Sequence, residues 1–382
     1  RDPEMSRGLG DVYKRQLYPK FTSQYTDQTV AANSVIVVCG DKSKVVSNSD
    51  MWETSTNYQT YQTQTTGFDG EGQITSAITY VTSENNPKVY WVTGHGEASE
   101  SDLSTNFSDA INKNNVEISD LALMTDDIPE DAEELVIMSP TTDFSEDEAN
   151  KVITYLENGG KLLMFTSYTG TDMPNLDSIL ENYGVKRSSG IVVETDSQHY
   201  YPQMPYYLLP NIQSDDITTE VKSNYILMPV AQAIQKLDSY RDTITIKSLL
   251  TTTEDAYIEN DPENSTWSKS ADSETGAFDL GVSITETVDD KETQIIYFSS
   301  ASMLSSQIDQ AISGANSKLA ATALTSMCDV EQTVVIPSKS TSYTNLVFTQ
   351  GAVNTWSIIT IAGIPLVLVV IGVMIWMKRR KQ

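Results

Sequence analysis

The sequence contains little cysteine and little histidine. Among its 382 residues there are two cysteines, Cys39 and Cys328, and two histidines, His95 and His199. Two cysteines exclude a disulfide-rich scaffold and a zinc site built from cysteines. Two histidines restrict the arrangements available for acid–base catalysis and metal binding. We therefore predict no metal site, no cofactor and no catalytic residues.

Positive charge is also scarce. Lys and Arg number 25 against 52 Asp and Glu, which gives a formal net charge of −27. A surface this acidic repels nucleic-acid phosphates, so we predict no nucleic-acid partner, and the acidity itself is typical of a surface that stays soluble. Hydrophobic residues make up 39% of the chain, enough for a packed core and for two or three domains.

The longest uncharged apolar run lies near the C-terminus. Residues 356–377 contain no charged side chain, start at Trp356 and carry Trp376 near their other end. As a helix they extend roughly 33 Å, enough to cross a hydrocarbon core of about 30 Å, and tryptophans at both ends are typical of membrane interfaces. The run predicts one transmembrane helix rather than a buried core helix.

Four cations follow the apolar run directly. Lys378, Arg379, Arg380 and Lys381 belong to the C-terminal tail 378–382. The positive-inside rule places such a tail in the cytoplasm. We therefore expect a single-pass protein of the cell membrane with the bulk of its chain outside the cytoplasm.

The remaining flanks are polar or irregular. Residues 1–16 show no periodicity and are interpreted as a non-native scar from a cloning adapter. Residues 17–70 are read as the tail of a β-rich domain, within which the Thr/Gln/Tyr-rich stretch 54–66 is predicted to be a loop. Residues 338–355 are Ser/Thr-rich and are predicted to form a linker to the membrane.

Residues 71–337 are predicted to form an α/β domain. Apolar runs at 89–92, 135–138 and 161–165 are typical of buried parallel strands, and helical spacing recurs between them. Ser145 and Glu148 have capping-box spacing at the start of one helix. The alternation predicts a parallel sheet covered by helices on both faces, completed by a hairpin at 280–298 and a helix from about Ile308 to Met327.

Several short motifs, in this order and spacing, resemble the gliding-motility auxiliary protein family GldG, whose members are accessory components of bacterial ABC transporters. The motifs are Phe68-Asp69-Gly70-Glu71, Ile74-Thr75-Ser76-Ala77-Ile78, Pro87 to Glu97, Ser139-Pro140 and Gly159-Gly160-Lys161-Leu162-Leu163, followed by the terminal span with its basic tail. The resemblance covers most of residues 30–382.

The resemblance implies a Rossmann-like sheet similar to that of class I glutamine amidotransferases, without their catalytic cysteine. It implies ABC transporter permease and ATPase subunits as partners. One segment departs from the family: relatives commonly show Gly-Asp-Ser-Asp after a late strand, where this chain has Ser299-Ser300-Ala301-Ser302.

Three residues are candidates for a ligand-binding or interface site. His95 and Glu97 follow the first predicted parallel strand, and Ser167 follows the strand at 161–165. Open α/β sheets bind ligands at the carboxyl ends of their strands. A structural or interface role is favoured for His95 and Glu97. Ser167 lacks the glycine pattern of a nucleophile elbow.

Three functions are compatible with these features. The chain lacks a G-x-x-x-x-G-K-[ST] loop and therefore cannot be the ATPase of a transporter. We expect a noncatalytic extracytoplasmic auxiliary component of an ABC-type transport system, which gives binding or assembly surface to a permease. The alternatives are a degenerate or cryptic amidotransferase-like hydrolase, which would use His95 and Ser167, and a membrane-anchored surface-binding protein.

Overall fold

The computed structural model describes residues 24–28, 30–57, 62–83, 86–263, 266–328, 336, 339–340 and 348–380. The segment 1–16 and Lys381 of the basic tail lie outside the described residues.

Strands and short helices alternate along most of the chain. The strands are β1 (Val35–Cys39), β2 (Lys42–Val46), β3 (Trp52–Asn57), β4 (Gln62–Phe68), β5 (Lys88–Val92), β6 (Glu117–Leu121), β7 (Glu134–Met138), β8 (Lys161–Phe165), β9 (Val185–Val193), β10 (Tyr200–Tyr201), β11 (Met204–Leu208), β12 (Asn211–Ile212), β13 (Met228–Pro229), β14 (Gln232–Lys236), β15 (Ile244–Thr251), β16 (Tyr257–Glu259), β17 (Asp279–Val288), β18 (Lys291–Phe298) and β19 (Lys339–Ser340). The α-helices are α1 (Gly70–Thr82), α2 (Thr105–Lys113), α3 (Glu146–Glu157), α4 (Pro174–Asn182), α5 (Ser306–Ala311), α6 (Ala315–Met327), α7 (Gln350–Ile358) and α8 (Ile364–Arg380).

The chain forms two compact units. The first contains the described residues of 1–87, 111–117 and 329–344, and the second contains those of 88–110, 118–328 and 345–382. Helix α1, which was predicted to open the α/β domain at residue 71, thus belongs to the first unit. The second unit begins at Lys88, where the first parallel strand starts.

The first unit contains the β1–β2 hairpin, α1 and a three-stranded sheet in the order β19-β4-β3. The prediction of a loop over 54–66 was wrong there, since β3 and β4 pair antiparallel with Thr56 opposite Thr63. The stretch has no alternation of apolar and polar residues, the usual signal of a strand. Its many threonines still favour extended backbone, because the branched Cβ restricts χ1.

The second unit is built on a mixed sheet whose strands run in the order β16-β9-β14-β17-β18-β8-β7-β5-β6. Its centre is parallel, as predicted: β18 pairs with β8, β8 with β7 and β7 with β5. The flank from β17 to β16 is antiparallel. The predicted hairpin causes this change of direction, because Asp289 and Asp290 both have positive φ, 49° and 64°, and form the tight turn between β17 and β18.

Helices cover both faces of the parallel centre, which confirms the mixed α/β architecture. On one face, α3 and α4 bury Val152, Leu156 and Ile179 against Leu135 and Leu162 of the sheet. On the other face the alternate residues of β7 point toward α6, since the Cys328 thiol at the end of that helix lies 3.3 Å from Oε2 of Glu134. The side chains of neighbouring residues in β7 thus point to opposite faces of the sheet.

The single helix predicted from Ile308 to Met327 is two helices, α5 and α6. The break falls at Ser313 and Gly314, whose φ values are 59° and 81°. A Cβ on Gly314 would come within 3.2 Å of the Asn106 amide, so the left-handed backbone and the close approach both favour glycine there. The periodicity of the apolar positions continues across the break and conceals it.

The apolar C-terminal run is helical from Gln350 to Arg380, and the 18-residue window that is its most apolar part has a mean hydropathy of 2.9 and no buried residues. Helix α7 begins inside the segment predicted as linker, because the Thr349 hydroxyl accepts a hydrogen bond from the Ala352 amide and caps it. A π-turn at 359–363 joins α7 to α8. Pro365 has no amide hydrogen for an i−4 bond, and the wider turn accommodates it.

The buried carboxylate of Asp309 supplies a test of how α5 and α6 are held. It accepts hydrogen bonds from Ser104 Oγ (2.7 Å), Asn106 Nδ2 (2.8 Å) and Ser317 Oγ (2.7 Å). We expect Asp309→Ala to lower the free energy of unfolding by about 3 kcal/mol, because the donors lose a charged acceptor in a buried site. Asp216→Ala, at an exposed aspartate, is the control and should change it by less than about 0.5 kcal/mol. Urea unfolding followed by circular dichroism measures both, and equal effects would contradict this account of α5 and α6.

Candidate functional site

The predicted site residues lie at the carboxyl edge of the parallel strands. His95 and Glu97 follow β5, Ser139 follows β7 and Ser167 follows β8. Since these three strands are parallel neighbours, the segments after them meet along one edge. This is the edge at which open α/β sheets bind ligands.

A glycine-flanked turn holds His95 at this edge. Gly94 and Gly96 have φ values of 124° and 76°, which residues with a Cβ atom rarely adopt. A Cβ on Gly96 would also collide with Oγ1 of Thr141. The amides of Thr141 and Thr142 donate to the His95 carbonyl at 2.8 and 3.1 Å, so the loop after β7 locks the loop after β5.

The His95 imidazole lies between two glutamates, and we call these three residues the His95 cluster. Nδ1 is 3.2 Å from Oε1 of Glu97, and Nε2 is 3.3 Å from Oε2 of Glu148. The side chains are only 5%, 1% and 4% exposed, respectively. Phe144 closes the cluster with its ring centroid 4.3 Å from that of His95. The cluster is thus enclosed by the protein.

Glu148 comes from the predicted capping box. The Ser145 hydroxyl accepts from the Glu148 amide at 3.3 Å, and the Glu148 carboxylate accepts from the Ser145 amide at 2.9 Å, so the cap at the start of α3 is confirmed. The same carboxylate oxygen accepts from the Ser145 hydroxyl at 2.7 Å. A local helix signal therefore supplies the second partner of His95.

Two opposing effects act on the pKa of the Glu148 carboxyl. Burial raises it, and Oε1 accepts no hydrogen bond from the residues that the structure describes. The hydrogen bonds from Ser145 and the neighbouring His95 lower it and outweigh burial, so the pKa of Glu148 lies below its ordinary value. The carboxylate form is consequently favoured near neutral pH.

The same contacts occupy both nitrogens of the imidazole. Each ring nitrogen thus faces a glutamate carboxylate rather than the hydroxyl of a serine. Among the described hydrogen bonds none joins His95 to Ser167. The described side-chain contacts of His95 and Glu97 hold the turn after β5 against the start of α3.

Ser167 is paired with another serine. The Ser139 hydroxyl donates to Oγ of Ser167 at 2.9 Å, across the ends of β7 and β8. Ser139 has a φ of 54°, a conformation that is costly for a residue with a side chain. Sequence reasoning missed Ser139 and the second role of Glu148, because each pairs with a residue distant along the chain.

Two of the serines that depart from the family pattern donate hydrogen bonds to backbone carbonyls. Ser299 Oγ donates to the Leu280 carbonyl at 3.2 Å and Ser300 Oγ donates to the Pro229 carbonyl at 2.5 Å, both in buried positions. On the terminal helix, Trp356 and Trp376 are exposed. Among the described residues no three His, Cys, Asp or Glu side chains are arranged to hold a metal ion.

Comparison with known proteins adds a family assignment. A family model described as "ABC-type uncharacterized transport system" matches residues 86–326. No curated protein matches the chain.

Solved structures show distant likenesses only. The mmIFT52 N-terminal domain is 15% identical with a TM-score of 0.46, over 63% of this chain and 96% of that chain. A GMP synthase-type protein from Thermoplasma acidophilum is 11% identical with a TM-score of 0.32, over 64% and 97%. A ThuA-like protein from Parabacteroides merdae is 13% identical with a TM-score of 0.33, over 67% and 98%. At these values the likenesses carry no functional argument.

The charge on Glu148 should stabilise the fold in a pH-dependent way. Because its folded pKa is lowered, its contribution is present above the unfolded pKa of about 4.3 and is lost as the pH falls through the folded pKa. We expect Glu148→Gln, which keeps the capping geometry, to cost about 1 to 3 kcal/mol at pH 7 and much less near pH 3.

The control for this measurement is Glu146→Gln, which removes an exposed carboxylate from the same helical turn. It loses the same interaction with the helix dipole but no contact with His95. Urea unfolding at several pH values compares the two variants. A cost for Glu148→Gln that does not change with pH would contradict the assigned role of its charge.

Proposed function

The chain belongs to the family described as "ABC-type uncharacterized transport system", and from that membership we propose that it is a noncatalytic, GldG-like auxiliary component of an ABC transporter, anchored in the membrane. The family match spans most of the α/β unit, residues 86–326. The apolar helix from Gln350 to Arg380, whose most apolar 18-residue window has no buried residues, follows the matched residues along the chain. This helix is the observation that carries the proposal, because it requires lipid around it.

The partners follow from what the chain lacks. The 382 residues contain no phosphate-binding G-x-x-x-x-G-K-[ST] loop, so we infer that these residues do not themselves hydrolyse ATP. The described residues contain one helix long and apolar enough to cross a membrane, and one helix alone does not enclose a transport pathway. We therefore infer that the chain works beside permease and ATPase subunits and gives them binding or assembly surface.

The orientation is inferred from charge. Lys378, Arg379 and Arg380 form the last turn of α8, and Lys381 follows them. Cations directly after an apolar span favour the cytoplasmic side, and the acidic remainder of the chain then lies outside the cytoplasm. Repulsion between that acidic surface and anionic lipids keeps most of the unit in solvent.

The noncatalytic role is supported by the edge of the sheet. We infer an arrangement of class I glutamine amidotransferase type, supported by the parallel centre with helices on both faces. A nucleophilic cysteine would have to lie at the carboxyl ends of the strands. Cys328 lies instead beside Glu134, at the start of β7, and burial there raises its pKa, which disfavours the reactive thiolate.

One observation favours the hydrolase alternative. The left-handed backbone of Ser139 resembles the strained turn on which nucleophilic serines are presented. Its hydroxyl, however, donates to Ser167 rather than to a base. A serine without a neighbouring base is a weak nucleophile, so the auxiliary role remains the better-supported function.

Isolation from native membranes tests the proposal. We expect the tagged full chain, solubilised in a mild detergent, to bring down a permease and an ATPase in comparable amounts. A tagged variant with Lys or Asp in place of several apolar residues of 364–377 is the control, and it should lose both partners with the membrane. Recovery of the unaltered chain as a monomer without partners would contradict the proposal.

A further inference from the structure

The β10–β11 hairpin lies against the start of the apolar helix. The amide of Gln203, in the turn of the hairpin, donates to Oε1 of Gln350 at 2.9 Å. The amide of Gly351 donates to the Ser197 carbonyl at 2.6 Å. Both helix residues belong to the first turn of α7. The hairpin is thus tied to the helix where the helix begins.

A third contact completes this joint. The hydroxyl of Thr349, the residue that caps α7, donates to Oε1 of Gln198 at 3.0 Å. Gly351 lies so close to the Gln198 amide that a Cβ there would overlap it. Three contacts from two neighbouring turns restrict both the position and the rotation of the helix relative to the hairpin.

The joint lies close to the predicted membrane surface. Trp356, an exposed aromatic residue of the kind found at lipid interfaces, follows Gly351 by five residues. Five residues of helix correspond to about 7.5 Å along the axis. The head-group region of a bilayer is of similar depth on each side, so the hairpin and this region overlap.

The composition of the hairpin suits such a position. Residues 197–214 contain no Asp, Glu, Lys or Arg, although the chain carries 52 acidic residues. They include Tyr200, Tyr201, Tyr206 and Tyr207, a residue type enriched where protein meets the lipid head groups. Met204, next to the turn, is exposed. An uncharged, tyrosine-rich surface avoids the repulsion that an acidic surface experiences near anionic lipid head groups.

We propose that the β10–β11 hairpin rests on the phospholipid head groups of the membrane that α7 and α8 cross. The hairpin then holds the second unit against the bilayer and sets its tilt. The proposal depends on the terminal helix crossing the membrane and does not depend on a role in transport.

The opposite edge of the sheet supplies a matched control. Strand β9 precedes the hairpin, and near its end Ile191 lies opposite Gln232 of β14. The Gln232 amide donates to the Ser299 carbonyl just after β18, so β9 ends near the carboxyl edge of the parallel strands. Val288 lies at the other end of β17, whose ten residues extend about 33 Å. Val288 is 45% exposed and Met204 is 37% exposed, so probes at the two positions have similar access to solvent.

The experiment places one fluorescent thiol probe on the full chain in phosphatidylcholine nanodiscs. Cys39, which is exposed, is replaced by serine, and the buried Cys328 is retained. The probe is attached at Met204→Cys or at Val288→Cys, and lipids with a nitroxide on the head group quench nearby fluorescence. We expect several-fold stronger quenching at position 204 than at 288.

Each outcome bears on the proposal. Equal, weak quenching at both positions, with the chain retained in the discs, would overturn the hairpin contact and leave the transport role untouched. Strong quenching at both positions would also overturn it, because the unit would then lie flat rather than on its hairpin. If quenching is stronger at position 204 than at 288, but isolation of the tagged chain from native membranes recovers no permease, the result would support the hairpin contact and count against the transport role alone.

Discussion

An apolar helix that the protein does not cover is the constraint on which the rest of the structure depends. From Val353 to Met377 nearly every large side chain is exposed. Burying one such side chain is worth about 1.5 to 3 kcal/mol, so a helix with this many of them strongly favours lipid over water. The helix is therefore consistent with membrane anchoring of the C-terminal end of the second unit, and the uncharged hairpin beside Gln350 is compatible with that position.

At the carboxyl edge of the sheet, a helix cap and a strand loop share one carboxylate. Glu148 caps α3 together with Ser145 and also receives His95, so the loop after β5 and the start of α3 are joined through a single buried group. Glycines at 94 and 96 allow the loop to turn closely enough for this contact. Both ring nitrogens of His95 thus face carboxylates that belong to this edge.

Local patterns predicted local structure well. The apolar runs gave β5, β7 and β8 within one or two residues, and the capping box of Ser145 and Glu148 formed as expected. The patterns failed where the physical cause is nonlocal or conformational. Threonine-rich β3 and β4 pair without apolar alternation, and the left-handed backbone at Ser313 and Gly314 interrupts a continuous helical period.

In the candidate site too, local positions could be predicted from the sequence and nonlocal contacts could not. His95, Glu97 and Ser167 could be placed at the strand ends, because parallel strands align their carboxyl ends. Their partners could not, since Glu148 is 53 residues from His95 and Ser139 is 28 residues from Ser167. Which side chain fills a gap between two loops depends on the packing of the whole sheet. The match to a family described as an ABC-type transport system links the unit to transport, and the geometry of the site alone does not indicate this link.

Protease treatment of intact cells tests the central claim most directly. With an epitope tag added after Gln382, protease outside the cell should remove the acidic units and leave a short tagged fragment that contains α8. Digestion of the tag itself, with the acidic units left intact, would contradict both the orientation of the helix and the role inferred from it.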